Sequence, residues 1–332
     1  MKKIFITQIL LAFSSAMMAQ QTPQFTQFMQ TGQILNPAFT GINRNGDFRI
    51  GYRKQWVGLS GAPTTMFVSG SAMLGIDEPK ITLPVRGRMA SQFRTEKPER
   101  KDGLKHCVGA FLLLDKTGPT SFNRGGLSYA ANYPLNATWR LSGGASLLFS
   151  QSSLNRSELN VNPQRDPGIS ADISSSVSPD LQLGGLLYSD KMFFGYSLNY
   201  LLKSKLFSLS ETDQLYARQR SHHHIFAGYR LDFGEWAFIP GLMFKMVQGS
   251  PAGMETNFRL NYGDKYWFGA AFRPMDAASV FAGIHLSNTL NLSYAYDYNL
   301  SSLNAFNNGS HELMLGLRFL KKGEKLYTPK LW

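Results

Sequence analysis

From about Phe48 onward, polar and apolar residues alternate in short runs, and the connections between runs are alternately long and short. Successive side chains of a strand point to opposite faces, so period-two alternation gives each strand one greasy face and one polar face. Residues 141–150 show it plainly. Leu141, Gly143, Ala145, Leu147 and Phe149 share one face, and Ser142, Gly144, Ser146, Leu148 and Ser150 share the other. No convincing helical period interrupts the ladder. No segment after the N-terminal leader holds eighteen consecutive apolar residues, which excludes a helical membrane protein.

Fourteen strands are predicted, near 47–56, 65–74, 104–115, 126–134, 137–150, 180–189, 191–203, 222–233, 235–247, 252–262, 265–273, 279–287, 290–298 and 310–320. Each is about ten residues long, enough for a tilted bilayer crossing, and an even count matches bacterial single-chain barrels. The expected fold is therefore all-β: a transmembrane antiparallel outer-membrane β-barrel of about fourteen strands, with a short periplasmic element before it. A soluble β-sandwich is the rival, but so many long strands greasy on one side would give it an oversized core. Aromatic residues make up 13% of the chain and glycine is frequent, as the interface girdles and bends of a barrel wall require.

The alternation assigns charges to the lumen. Arg49 and Arg53 oppose Phe48, Ile50 and Tyr52; Arg230 and Asp232 oppose Tyr229, Leu231 and Phe233; Asp297 opposes Tyr296 and Tyr298; Glu312 and Arg318 oppose Leu313, Leu315 and Leu317. An arginine facing lipid at mid-depth costs roughly 2–4 kcal/mol, so these charges point inward. Two outcomes remain open for the arginines. They favour anions in an open channel, or they pair with Asp232, Asp297 and Glu312 and rigidify the lumen.

With the N-terminus in the periplasm, short turns fall at 134–136, 189–190, 234, 263–264 and 288–289, and outer loops at 57–64, 116–125, 151–179, 204–221, 248–251, 274–278 and 299–309. Residues 75–103 break the rhythm. They form a long, charge-rich connection on the short-turn side, and either mark a slip in the strand count or an inserted periplasmic element.

The organisation expected is a signal peptide at 1–19, a plug-like or capping segment at 20–46, the barrel at 47–320 and a tail at 321–332. Lys2 and Lys3, the apolar run from Ile4 and the small residues up to Ala19 carry the first of these. A single cysteine, Cys107, offers no intramolecular disulfide. The formal net charge of +12 is accompanied by no nucleic-acid-binding signature. No catalytic constellation, cofactor motif or metal set emerges either. His222, His223 and His224 are adjacent on a strand, so they face alternate sides and cannot readily converge on one metal. By the same argument His311 and Glu312 do not pair.

The segment Gln20-Gln21-Thr22-Pro23-Gln24-Phe25-Thr26-Gln27-Phe28-Met29, followed by Ile34-Leu35-Asn36-Pro37-Ala38-Phe39-Thr40-Gly41, does not read as wall material. It resembles the opening of the type IX secretion system membrane proteins of the PorP/SprF family of Bacteroidetes. Three further stretches match in order: Tyr52-Arg53-Lys54-Gln55-Trp56 with Gly61-Ala62-Pro63-Thr64-Thr65; Leu292 to Asp297; and Gly309-Ser310-His311-Glu312-Leu313 with Leu317-Arg318-Phe319. The 20–41 element is expected to plug or cap the periplasmic mouth. The resemblance implies an outer-membrane barrel assisting secretion or surface anchoring of cargo such as gliding adhesins. Its partners would be the translocon, the surface cargo and a periplasmic peptidoglycan-associated lipoprotein. It also marks Gln24, Phe25, Asn36, Pro37, Gly41, Gln55, Trp56, Pro63, Asp297, His311 and Glu312 as motif residues. A diffusion channel with a cationic lumen is the alternative function.

Overall fold

A computed structural model describes residues 23–43, 46–74, 103–155, 176–203, 219–263, 265–287 and 289–319. The strands are β1 (Asp47–Lys54), β2 (Thr64–Met73), β3 (Lys105–Thr117), β4 (Thr120–Pro134), β5 (Arg140–Leu154), β6 (Ser176–Tyr188), β7 (Met192–Asn199), β8 (His222–Tyr229), β9 (Leu231–Phe233), β10 (Trp236–Val247), β11 (Gly253–Tyr262), β12 (Tyr266–Arg273), β13 (Ala277–His285), β14 (Leu290–Asn299) and β15 (Ser310–Arg318). β8 and β9 both pair with β10 and form one crossing interrupted at Arg230. All fourteen expected crossings are thus present, and every pairing is antiparallel, between crossings adjacent in sequence except where the first meets the last.

β1 closes the sheet against β15, with Asp47 opposite Arg318 and Arg53 opposite Glu312. Closure satisfies every ladder, as lipid demands of a spanning sheet. The outside is apolar all the way round. Ile50, Leu112, Leu127, Phe149, Phe258 and Leu313 all lie exposed on it. The inward residues of the same strands are buried, and many are polar: Ser142, Ser146, Gln182, Asn257, Ser293 and Glu312 among them. This inverts a soluble protein and matches the sorting expected from the sequence.

Two expectations change. The outer loop expected at 116–125 is a two-residue turn, Gly118–Pro119, with Thr117 paired to Thr120 and the ladder continuing through Asn123. Gly118 takes φ +54°, which the tight turn requires. Above the lipid both strand faces are polar, so the hydrophobic signal ends although the hydrogen bonds do not. Second, the N-terminal segment does not sit at one mouth. Residues 23–43 lie inside the barrel along its length.

Local chemistry shapes that segment. It forms a 3₁₀ turn at Phe28–Thr31, one α-helical turn at Gly32–Leu35 and a second 3₁₀ turn at Pro37–Phe39. The Asn36 side chain accepts the Ala38 N–H at 2.9 Å, and Pro37 follows it with no N–H to leave unpaired. Gly41, at φ +68°, turns the chain back toward β1.

The expected signal peptide, the tail and most of the 75–103 connection, with much of the 151–179 and 204–221 loops, lie outside the described residues.

Candidate functional site

The lumen is occupied by the chain itself. Phe28, Met29, Ala38, Phe39 and Ile42 pack against Leu186, Tyr188, Phe193, Phe226, Ile239 and Met243 from the wall. Phe25 and Ile34 pack against Phe67, Phe111, Leu113, Leu148 and Met314 on the opposite side. Phe25 meets Phe67 edge-on at 5.0 Å between ring centroids. Amphipathic dressing is unnecessary here, because the segment is surrounded by wall.

Its backbone is satisfied by wall side chains around the circumference. Arg49 donates to Gln30 O at 2.8 Å, Ser142 to Ala38 O at 2.7 Å, and Gln182 to Leu35 O at 2.9 Å. Ser197 also donates to Leu35 O at 2.8 Å, and Asn257 to Thr26 O at 3.3 Å. Buried backbone groups need such partners, since an unmet one costs about 1–3 kcal/mol. This explains why the inner face of a membrane barrel is rich in serine, asparagine and glutamine.

Glycines make room for the Asn36–Pro37 turn. A Cβ on Gly144 would lie 2.5 Å from the Pro37 carbonyl carbon, and one on Gly184 would overlap Asn36 Oδ1. Asn36 Nδ2 donates to the carbonyls of Gly185 and Tyr196, both at 3.2 Å. Beside the segment, near Ile42, two cavities measure about 30 and about 20 Å³, room for one or two waters each.

At the end carrying the longer loops, a buried ion network holds the start of the segment. Arg53 binds Asp297 at 2.6 Å and Glu312 at 3.1 Å. Arg273 binds Asp297 at 2.7 Å and lies 3.8 Å from Glu255, which Lys245 also approaches at 3.8 Å. Thr26 Oγ1 donates to Asp297 at 2.6 Å. Above this network opens a cavity of about 200 Å³ lined by Pro23, Gln24, Arg53, Gln55, Trp56, Pro63, Asp115, Thr117, Arg273, Asp276, Asn299 and Ser310.

The motif residues therefore converge on two places. Gln24, Gln55, Trp56 and Pro63 line the mouth cavity, with Asp297 and Glu312 beneath it. Gln55 N–H donates to Pro63 O at 2.9 Å, which pins the loop between β1 and β2. Asn36 and Pro37 form the turn on the glycines, and Gly41 sits against Cys107, where a Cβ would overlap it. His311 stands apart on the outer wall, accepting or donating at 2.6 Å with the Tyr294 hydroxyl.

Of the lumen charges, Arg49, Arg53 and Arg230 are buried. Arg49 pairs with Asp47 at 3.0 Å and Arg230 with Asp232 at 2.6 Å. Arg318 lies half-buried opposite Asp47. Asp232 departs from expectation: its strand segment ends at the barrel rim, so the carboxylate is exposed and not inside the lumen. Of the two outcomes left open by the sequence, pairing holds for Arg49 and Arg53 within the lumen and for Arg230 at its rim. His222 and His224 face inward and are buried while His223 faces outward to Tyr196, as alternation requires. They are wall residues and not only rim residues.

Thr26, Arg273, Glu255 and Lys245 were missed as members of the network. Arg273, Glu255 and Lys245 lie on inward strand positions and Thr26 lies beside a motif residue, which was the available signal. Arg124 and Tyr200 form a second buried pair through the Tyr200 hydroxyl, with the His222 ring 5.1 Å from that of Tyr200.

Among solved structures the chain is similar to the Acinetobacter baumannii outer membrane protein Omp33, at 11% identity over 84% of this chain and 100% of that one, TM-score 0.44. It is similar to a Pseudomonas aeruginosa FadL homologue at 10% identity over 86% and 93%, TM-score 0.44. It is also similar to the translocator domain of the autotransporter NalP from Neisseria meningitidis at 12% identity over 89% and 96%, TM-score 0.38. No curated protein matches the chain. Residues 17–317 match the family described as type IX secretion system membrane protein PorP/SprF. A closed antiparallel barrel, apolar outside and matched over nearly its whole length, lies in the outer membrane: the chain belongs to the PorP/SprF family of type IX secretion system membrane proteins.

Proposed function

We propose that the chain is a sealed outer-membrane barrel that assists secretion or surface anchoring of cargo by the type IX system, as a docking partner and not as a diffusion path. The observation that carries this reading is the lumen filled by residues 23–43, hydrogen-bonded to the wall on many strands. Arg49, Arg53 and Arg230, which would favour anions in a channel, are tied to carboxylates, and a filled lumen leaves cargo only the outer and inner faces to bind. By the asymmetry of bacterial barrels, the end with short turns faces the periplasm. The translocon and a peptidoglycan-associated lipoprotein then meet that end, where β2 ends and β3 begins. Cargo is held at the opposite end by the loops at 151–179 and 204–221.

Deleting 156–175 and 204–218 together, in a barrel that still assembles, tests this. Surface cargo counted by antibody on intact cells should fall to the level of a strain lacking the protein. Unchanged surface cargo would remove the cargo-holding role.

A further inference from the structure

The mouth cavity and the ion network beneath it together hold more carboxylates than cations, in a basic chain. The whole sequence carries a formal net charge of +12. Yet Asp115 and Asp276 stand in the cavity wall, and Asp297, Glu312 and Glu255 lie beneath it in the ion network. Among the described residues, three cations stand against these five carboxylates: Arg53, Arg273 and Lys245. Both arginines on the floor are already engaged. Arg53 is shared between Asp297 and Glu312, and Arg273 is shared between Asp297 and Asp276, each at 2.7 Å. By this count carboxylates outnumber cations by two, and the concave shape of the site concentrates that difference at the mouth.

Trp56 adds an aromatic wall. Its φ of +46° lies in the left-handed region, which a bulky residue keeps only where its surroundings hold it. Here the Trp56 N–H donates to Ser310 Oγ at 3.2 Å, and the next amide, Val57 N–H, donates to Gly309 O at 2.8 Å. The loop thus holds the Trp56 backbone in place at the cavity that Trp56 lines. Gln55 and Asn299 complete the rim with amide groups. An indole, two carboxylates and neutral amides form the set that receives a guanidinium or ammonium group. The cavity's volume of about 200 Å³ lies below the roughly 300–1,000 Å³ of drug-sized pockets, so it suits one long side chain and not a folded element.

We propose that this cavity binds a cationic side chain, arginine foremost, of a polypeptide docking on the long-loop end. The inference rests on reading that end as the cargo-holding face, and it names the chemistry the partner presents. The side chain enters past Trp56, stacks on the indole and reaches Asp115 and Asp276.

The test uses the full-length barrel in detergent micelles and three blocked tripeptides, Gly-Xaa-Gly, with Xaa arginine, citrulline or glutamate. Binding is followed by tryptophan fluorescence and by saturation-transfer NMR. The arginine peptide should bind saturably and at least tenfold more tightly than the citrulline peptide, with the glutamate peptide weaker still. Asp115→Asn should weaken arginine binding at least fivefold and Asp115→Glu should restore it. Trp56→Phe should abolish the fluorescence change while the NMR signal persists at reduced strength. Equal binding of arginine and citrulline peptides by the unmodified chain would overturn the proposal without reference to any variant. So would undiminished binding by Asp115→Asn that still shows the heat-modifiable migration of a folded barrel. The assay needs no secretion machinery. Its failure alongside cargo loss on loop deletion would leave the proposed function standing, and the reverse pair of results would remove that function and leave the site.

Discussion

The carboxylate of Glu312 grips two consecutive amides of the plugging segment, Thr26 N–H at 2.8 Å and Gln27 N–H at 3.1 Å. Glu312 is fully buried and also pairs with Arg53. It therefore ties the first described turn of the segment to the strand that closes the barrel. Removing one partner of a buried ion pair is costly because the other charge stays buried. Glu312→Gln should lower barrel stability by about 3 kcal/mol, read as a fall in the urea midpoint of heat-modifiable migration. An unchanged midpoint would show that the network does not hold the segment.

Neighbouring glycines should respond very differently to one methyl group. At Gly184 a Cβ overlaps Asn36, whereas at Gly185 nothing lies within 4 Å. Gly184→Ala should cost about 1–3 kcal/mol by overpacking and expose Phe25, Phe28 or Phe39 to chymotrypsin. Gly185→Ala should change stability by less than about 0.5 kcal/mol. Equal behaviour of the two would place the Asn36–Pro37 turn elsewhere.

Asn36 both caps its own turn and donates to two wall carbonyls. Asn36→Ala should cost about 1–2 kcal/mol in the same unfolding assay. Asn36→Asp should cost more, since an anion would then face the Gly185 and Tyr196 carbonyl oxygens. A milder effect for aspartate than for alanine would argue against those bonds.

The segment runs from the long-loop mouth, where Gln24 lines the cavity, to the opposite end, where Cys107 approaches Gly41 O at 3.8 Å. Cysteines placed at Gln24 and at the exposed Met275 should react with a membrane-impermeant maleimide on intact cells. A cysteine at Glu235, exposed in a short turn, should react only after the outer membrane is permeabilised. Cys107 is buried and should stay silent. Labelling at Glu235 but not at Gln24 on intact cells would invert the orientation.

Strand order, count and facing were legible because lipid outside and a crowded lumen inside impose one rule on every crossing. Ser142 in and Leu141 out follow from period two alone. Gly144 and Gly184 were visible as strand glycines, but their reason was not, since it lies in a turn more than a hundred residues away in sequence. The same non-locality hid the meeting of Gln24, Trp56 and Asp115 in one cavity. Arg273 and Glu255 were legible as inward charges and illegible as partners, because pairing across a lumen depends on register around the whole barrel. The tip of β3 and β4 was lost where both faces turn polar, and Asp232 was misplaced because alternation says which side a residue faces and not how near the rim it lies.

Single-channel recording in planar bilayers tests the sealed lumen most directly. The intact chain should insert without steady ohmic steps, while a form lacking residues 23–43 should open them. A steady ohmic conductance from the intact chain, comparable to that of the deleted form, would contradict a lumen closed by its own N-terminal segment.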